Sequence, residues 1–340
     1  MHLGIFVPYT DIVTNIDIEE FVKRAESIGY DSVWVPEAYG YDSVTLMTRL
    51  ILATTSIKVA SGIINVFSRT PALIAQTAAA LDVISGGRFW LGLGTSGPQV
   101  VEKWHGLEFK QPLQRLKESI DIMHQIWKRQ KINYQGKIFH IENGLKLLVH
   151  PKRDKVPIFL GSLTPKGLKL VGQCADGWLP ILFSPEHYEK VFLPYLQQGV
   201  NESSRSLEDI VTCPCIAASI SDDKTTGMAL AKQYLALYVG GMGARSKNFY
   251  NELVSRYGFE KVAKQIQDLY LSGEREQAAK LVPDELVYYT CLIGSPEEIA
   301  GRLADYKKVG INYVVLMPLA YDLKSQLEGM KALYDLAKSL

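Results

Sequence analysis

Short runs of apolar, largely β-branched residues recur along the whole chain, and most are followed by a stretch whose apolar residues return at helical spacing. Residues 3–7, 32–35, 57–61 and 89–93 read as strands, and 18–28, 43–53, 70–84 and 113–128 as the helices after them. A strand that rejoins its own sheet in parallel needs a crossover of about a dozen residues or more, and each of these units supplies one. The second half continues the alternation with more interruption. Strands are expected at 157–160, 176–179, 210–218 and 313–317, with helices at 166–171, 186–196 and 296–309. Residues 131–150 mix polar and apolar positions and read as an insertion built on a small hairpin. The amphipathic stretch 222–283 is broken by Gly240-Gly241-Met242-Gly243, which places a second insertion near 240–285. Eight strands alternating with helices predict a single (β/α)8 barrel, a TIM barrel with insertions, over residues 1–340.

Composition narrows the function. The 37 basic and 36 acidic residues leave a net charge of +1, so the chain has no electrostatic footprint for a nucleic acid, and none is expected as a partner. Four scattered cysteines in 340 residues do not make a disulfide framework and fit a reducing cytoplasm. Cys213 and Cys215 are separated by one residue, whereas zinc-ligand pairs usually want two to four, and His2, His124, His140, His150 and His187 show no metal spacing. No metal is expected. No window approaches ~18 uninterrupted apolar residues, and the chain starts directly in a strand without a basic leader. These features predict a soluble cytoplasmic protein with a small-molecule substrate and no membrane partner.

In a barrel, chemistry sits where the strands end at their carboxyl side. The residues there are Pro8-Tyr9, Glu37-Ala38-Tyr39, Gly62-Ile63-Ile64-Asn65, Gly94-Thr95-Ser96-Gly97, Gly161-Ser162 and Pro180 onward. They are rich in glycine and hydroxyls and poor in acid–base pairs, which points to a cofactor as the carrier of the reaction. Gly92-Leu93-Gly94-Thr95-Ser96-Gly97 matches the dinucleotide string G-x-G-x-x-G, but Pro98 follows it and the next strong helix starts near Leu113. A nicotinamide dehydrogenase with an open two-domain sheet is the reading that string would carry. The alternative is that Gly94 and Gly97 let backbone approach a ligand while Thr95 and Ser96 offer donors to an anion. Gly161-Ser162 precedes Thr164-Pro165, a cap and first helical residue, so this is either a phosphate site on bare amides or an ordinary capped helix with Lys166 in solvent. Glu37 is either a positioning or proton-transferring carboxylate or a loop-anchoring acceptor. Among the histidines, His105 after Trp104 is the one best placed for proton transfer, the alternative being a structural histidine.

At these residues the chain resembles the bacterial-luciferase-like superfamily of flavin and deazaflavin oxidoreductases, most of all its branch of methylenetetrahydromethanopterin reductases. The resemblance covers nearly the whole chain. It is carried by Gly29-Tyr30-Asp31-Ser32-Val33-Trp34-Val35 with Glu37, Gly62-Ile63-Ile64-Asn65 with Arg69-Thr70-Pro71, and Ser85-Gly86-Gly87-Arg88-Phe89 running into Gly92 to Gly97. Pro157 to Ser162, Ala175-Asp176-Gly177-Trp178 and Gly294-Ser295-Pro296-Glu297-Glu298 complete it. The resemblance implies hydride transfer between coenzyme F420 and an organic substrate, with FMN-dependent monooxygenation, or a barrel that has lost its cofactor, as alternatives. It implies a non-proline cis peptide at Gly62-Ile63 behind the ring, and with Glu37 and Asn65 this sets the ring's seat. Thr95, Ser96, Gly97, Gly161 and Ser162 would hold the phosphate, with Gly94 a further cofactor contact, and Glu37 or His105 would supply the proton. The segment around Gly240 to Gly243 would cover the mouth, and the first-half helices would form a homodimer. The chain departs from family patterns in having Ala38 where some members carry a histidine, and Phe6, Val7, Pro8 and Tyr9 where others place an acid.

Overall fold

The computed structural model describes residues 1–8, 18–245, 247–320 and 322–339. The expected strand end at Tyr9 lies outside the described residues. Eight parallel strands make the frame: β1 (His2–Phe6), β2 (Ser32–Val35), β3 (Lys58–Ser61), β4 (Phe89–Gly94), β5 (Ile158–Leu160), β6 (Gly177–Trp178), β7 (Cys215–Ile220) and β8 (Tyr313–Pro318). Each pairs with the next up to β6, which pairs with the short strand Val211–Thr212. That strand runs through Cys213-Pro214 into β7; β7 pairs with β8, and β8 with β1. The ring therefore closes, and the open two-domain sheet is excluded. The helices are α1 (Ile18–Ile28), α2 (Ser43–Ala53), α3 (Pro71–Ile84), α4 (Pro112–Trp127), α5 (Pro165–Cys174), α6 (Leu193–Glu202) and α7 (Lys224–Ala236). They are followed by α8 (Phe249–Val254), α9 (Glu260–Leu271), α10 (Arg275–Lys280), α11 (Asp284–Thr290), α12 (Pro296–Lys308) and α13 (Leu323–Ser339). Among the described residues no helix is long and apolar enough to cross a membrane, and no cluster of His, Cys, Asp and Glu could hold a metal.

Strand alternation explains how one sequence builds two cores. Leu3, Ile5, Val33, Val35, Ile158, Leu160, Val314 and Leu316 face the helices. The intervening Trp34, Ala60, Phe159, Tyr313 and Val315 fill the barrel, joined by Phe6, Ile63 and Trp90. This filling is largely aromatic: Trp90 stacks on Phe159 at 4.8 Å and Trp34 meets it edge-on at 5.2 Å. Tyr313 and Trp34 both donate to Ser32 Oγ, at 2.7 and 2.8 Å, so the buried polar atoms are satisfied. The lower barrel interior is thus a packed floor, and within the ring only the mouth leaves space for a ligand.

At the mouth the loops are pinned by helix caps. Asp42 caps α2 through Thr45 N at 2.8 Å, Thr70 caps α3 ahead of Pro71, Thr164 caps α5 ahead of Pro165, and Ser295 and Glu298 form a capping box on α12.

Several elements differ from the sequence reading; the expected strand 210–218 breaks at Cys213-Pro214 into Val211–Thr212 and β7. Cys291–Gly294 is a further strand, alongside β7; only four residues long and set between α11 and the cap of α12, it carries no turn signal. Residues 186–196 divide into a 3-10 turn, a wide π-type turn and the start of α6. Helix α13 follows β8 where no element was expected. The expected hairpin is present as Tyr134–Gln135 against His140–Ile141. In the glycine break, Cβ atoms on Gly240 and Gly241 would stand 2.5 and 2.4 Å from Tyr270, so these glycines admit the Tyr270 ring of α9. The segment reaches the β4 loop, where Gln99 Nε2 donates to the Gly243 carbonyl at 3.1 Å.

Candidate active site

Strand β3 stops at Ser61, the Gly62-Ile63 peptide is cis, and the chain resumes as Ile64–Asn65 beside Leu93 and Gly94 of β4. The Ile63 side chain turns into a gap bounded by three glycines of two other segments. A Cβ on Gly94 would lie 2.7 Å from Ile63 Cδ1, and one on Gly161 3.2 Å from its Cγ2. On Gly92 a Cβ would lie 3.4 Å from Ile63 Cγ2 and only 1.8 Å from the Ser61 carbonyl. Gly94 and Gly161 therefore make room for Ile63, a role the sequence reading had given, at Gly94, to a ligand. Gly97 has no atom within 4 Å of its Cβ position and keeps the open approach expected of it.

Asn65 stands on this bulge, 2% exposed. Its Oδ1 accepts from Phe67 N at 2.9 Å, while Nδ2 is buried with no partner among the described residues. Leaving such a donor unmet costs about 1–3 kcal/mol, so Asn65 suits the acceptor edge of a bound ring.

Two loops meet beside it: the Gly161 carbonyl is 3.4 Å from the Gly94 Cβ position. Among the described residues the amides of Thr95, Ser96, Gly97 and Ser162 donate to no protein acceptor. Ser96 adopts a left-handed φ of 56°. The Ser162 carbonyl accepts from Trp178 Nε1 at 2.8 Å, fixing that loop to β6. Arg115 in the first turn of α4, to which the sequence reading gave no role, adds a cation. Its guanidinium lies over the rings of Phe67 at 4.8 Å and Phe139 at 5.1 Å, has no ion-pair partner among the described residues, and its Nε is buried without an acceptor. Burial pushes its pKa down, partly offset by Glu118, yet an arginine stays charged. Free amides and an unpaired guanidinium suit an anionic tail. The available signal was an arginine in the first turn of the helix after the Gly94 to Gly97 loop.

Glu37 is engaged within the protein. Arg69 Nη1 donates to Oε1 at 2.5 Å and Nη2 to Oε2 at 2.9 Å; Ser43 Oγ and, at 3.2 Å, Ser43 N also donate to Oε2. Arg69 Nη2 reaches Asp42 Oδ1 at 2.5 Å as well. Burial would lower the Arg69 guanidinium, but Glu37 and Asp42 hold it above its usual range. This geometry is that of the loop anchor. His105 closes the wide turn Gln99–Trp104 and is half-buried, and the Trp104 ring meets Tyr39 at 6.5 Å, so the β2 and β4 loops touch across β3. Glu37, Gly62, Ile63, Asn65, Gly94 to Gly97, Gly161 and Ser162 all lie at the mouth, and His105 stands at its rim.

The chain belongs to the luciferase-like monooxygenase family, whose model matches residues 1–313. It is 35% identical to a putative coenzyme F420-dependent oxidoreductase of Mycobacterium tuberculosis, over 93% of this chain and 94% of that protein. A 5,10-methylenetetrahydromethanopterin reductase of Archaeoglobus fulgidus is 28% identical over 92% of each. The structure of the coenzyme F420-dependent tetrahydromethanopterin reductase of Methanopyrus kandleri superposes with a TM-score of 0.84 at 23% identity, over 98% of this chain and 97% of that one, which shows the shared fold. The chain is an oxidoreductase of this family.

Proposed function

We propose that this luciferase-like oxidoreductase transfers a hydride between coenzyme F420 and a small organic substrate at the barrel mouth. The observation that carries the reading is the buried Asn65 Nδ2 on the Gly62-Ile63 bulge, unmet among the described residues, beside the free amides that follow Gly94. Such a site asks for a flat acceptor-edged ring joined to an anion. The name of the 35% identical relative, a putative coenzyme F420-dependent oxidoreductase, favours the deazaflavin as that group. When bound, it supplies the carbon that gives or takes the hydride.

The chain's own residues do the rest. Ile63, wedged among Gly92, Gly94 and Gly161, backs the ring, and Asn65 Nδ2 donates to its edge. Thr95, Ser96, Gly97, Ser162 and Arg115 receive the phosphate. Glu37 holds Ser43 and Arg69, and through them the β2 loop; His105 then has the proton role. Closure by the Gly243 segment against Gln99 excludes water. The exposed Leu52, Leu73, Val83 and Ile84 on α2 and α3 favour a homodimer through these helices, and the four free cysteines favour the cytoplasm.

The test is titration of the purified apoprotein with F420 and, separately, with FMN, followed by tryptophan fluorescence, together with oxygen uptake under reducing conditions. Tight F420 binding that Asn65→Leu weakens about tenfold, with little oxygen uptake, is the expected result. Tight FMN binding with reductant-dependent oxygen uptake would make the protein an FMN monooxygenase, and binding of neither would overturn the catalytic reading.

A further inference from the structure

A second cavity, of about 460 Å³, opens between α7 and α13 at the heads of β7 and β8. It falls in the size range of small-molecule sites. Small residues carve it: Gly329 in α13 has no atom within 4 Å of its Cβ position, and Gly227 in α7 abuts Ser219 Oγ at 3.0 Å. Gln326 lines the cavity and is 4% exposed. Its Nε2 donates to the Ala320 carbonyl at 3.4 Å, which orients the amide, and its Oε1 is buried without a donor among the described residues. A buried acceptor left unmet is costly, so the cavity lacks one hydrogen-bond donor.

In barrels this position, after the seventh and eighth strands, is a frequent phosphate site. Here the charges are wrong for an anion. Asp223 and Asp322 cap α7 and α13, filling the helix ends a phosphate would use, through Thr225 N at 3.0 Å and Ser325 N at 2.9 Å. Glu328 is the third acid of the lining, with Lys324 at 3.9 Å from it, and the described lining contains no Lys, Arg or His. A cavity with an unmet acceptor, an acidic rim and a partly aliphatic wall (Leu230, Leu319) fits a donor-bearing cation.

We propose that this cavity, lined by none of the residues assigned to the cofactor, is a second small-molecule site that takes a small aliphatic amine in its ammonium form with an N–H donated to Gln326 Oε1. The assignment is independent of the F420 reading. Its test is calorimetric titration of the full chain with 1,4-diaminobutane, with 1,4-butanediol and inorganic phosphate as comparators. Saturable binding of the diamine, at least tenfold tighter than the diol, with no binding of phosphate, is expected. Gln326→Met should weaken it about tenfold, and Gly329→Leu, whose Cβ enters open space and whose side chain then fills the cavity, should abolish it. Equal affinity for diol and diamine, binding of phosphate, absence of diamine binding, or unchanged binding by Gly329→Leu at an unchanged melting temperature would each overturn the proposal.

Discussion

Removing the carboxylate of Glu118 should unfasten the 131–150 insertion from the barrel. Glu118 is 1% exposed on α4 and accepts four hydrogen bonds: from Gln114 Nε2 at 2.8 Å and from the amides of Lys137, Ile138 and Phe139 at 2.7, 3.1 and 3.0 Å. The fit is close enough that a Cβ on Gly136 would stand 2.2 Å from its Oε2. A hydrogen bond to a charged group contributes about 1.5–3 kcal/mol when its partner is left buried, but the hairpin amides lie near the surface and water can replace part of the loss. Glu118→Ala should therefore cost about 3–4 kcal/mol, and Glu118→Gln, which keeps one acceptor oxygen, about 2. The pH dependence has a definite sign. Burial would raise the Glu118 carboxyl, yet Gln114 and the three amides outweigh it and hold the pKa below the ordinary glutamate range. The contribution is then complete above the unfolded value of about 4.3 and is lost as pH falls through the folded one. Urea denaturation followed by tryptophan fluorescence should show the gap between the native chain and Glu118→Gln at pH 7 narrowing toward pH 3. A loss under about 1 kcal/mol for Glu118→Ala, or a gap that does not change with pH, would refute the anchoring argument.

Three further substitutions bear on the site's frame. Gly92→Ala places a methyl 1.8 Å from the Ser61 carbonyl, a backbone atom that cannot swing aside, whereas Gly97→Ala meets nothing within 4 Å. The first should cost about 3 kcal/mol or more and the second under about 0.5, read from paired thermal melts; similar melting temperatures would contradict the packing account. Arg69→Met strands Glu37, 10% exposed, without its cation. A broken buried pair costs about 3–5 kcal/mol, and with Ser43 still donating we expect about 2–3, so a neutral result in chemical denaturation would show that the β2 loop is held by something else.

The barrel was legible because its evidence is local and repeated. Apolar runs of strand length, separated by helices with cap residues such as Asp42, Thr70, Thr164 and Ser295, leave few other ways to bury both faces of a parallel sheet. Where local signals were thin, at Cys291–Gly294 or in the turns before α6, the sequence reading missed or misdrew the element. The mouth was legible as a set of strand ends, and the cis peptide at Gly62-Ile63 stands where family resemblance put it. Partnership was not legible. That Glu37 is bound to Arg69 and Ser43, that Gly94 and Gly161 shelter Ile63, and that among the described residues Asn65 Nδ2 is unmet and Arg115 lies unpaired between Phe67 and Phe139 depend on groups brought together from different βα units. Periodicity fixes which face of an element is buried, because it depends on the element's own geometry. Which polar atom finds a partner depends on distances between elements tens of residues apart, and only the closed ring sets those.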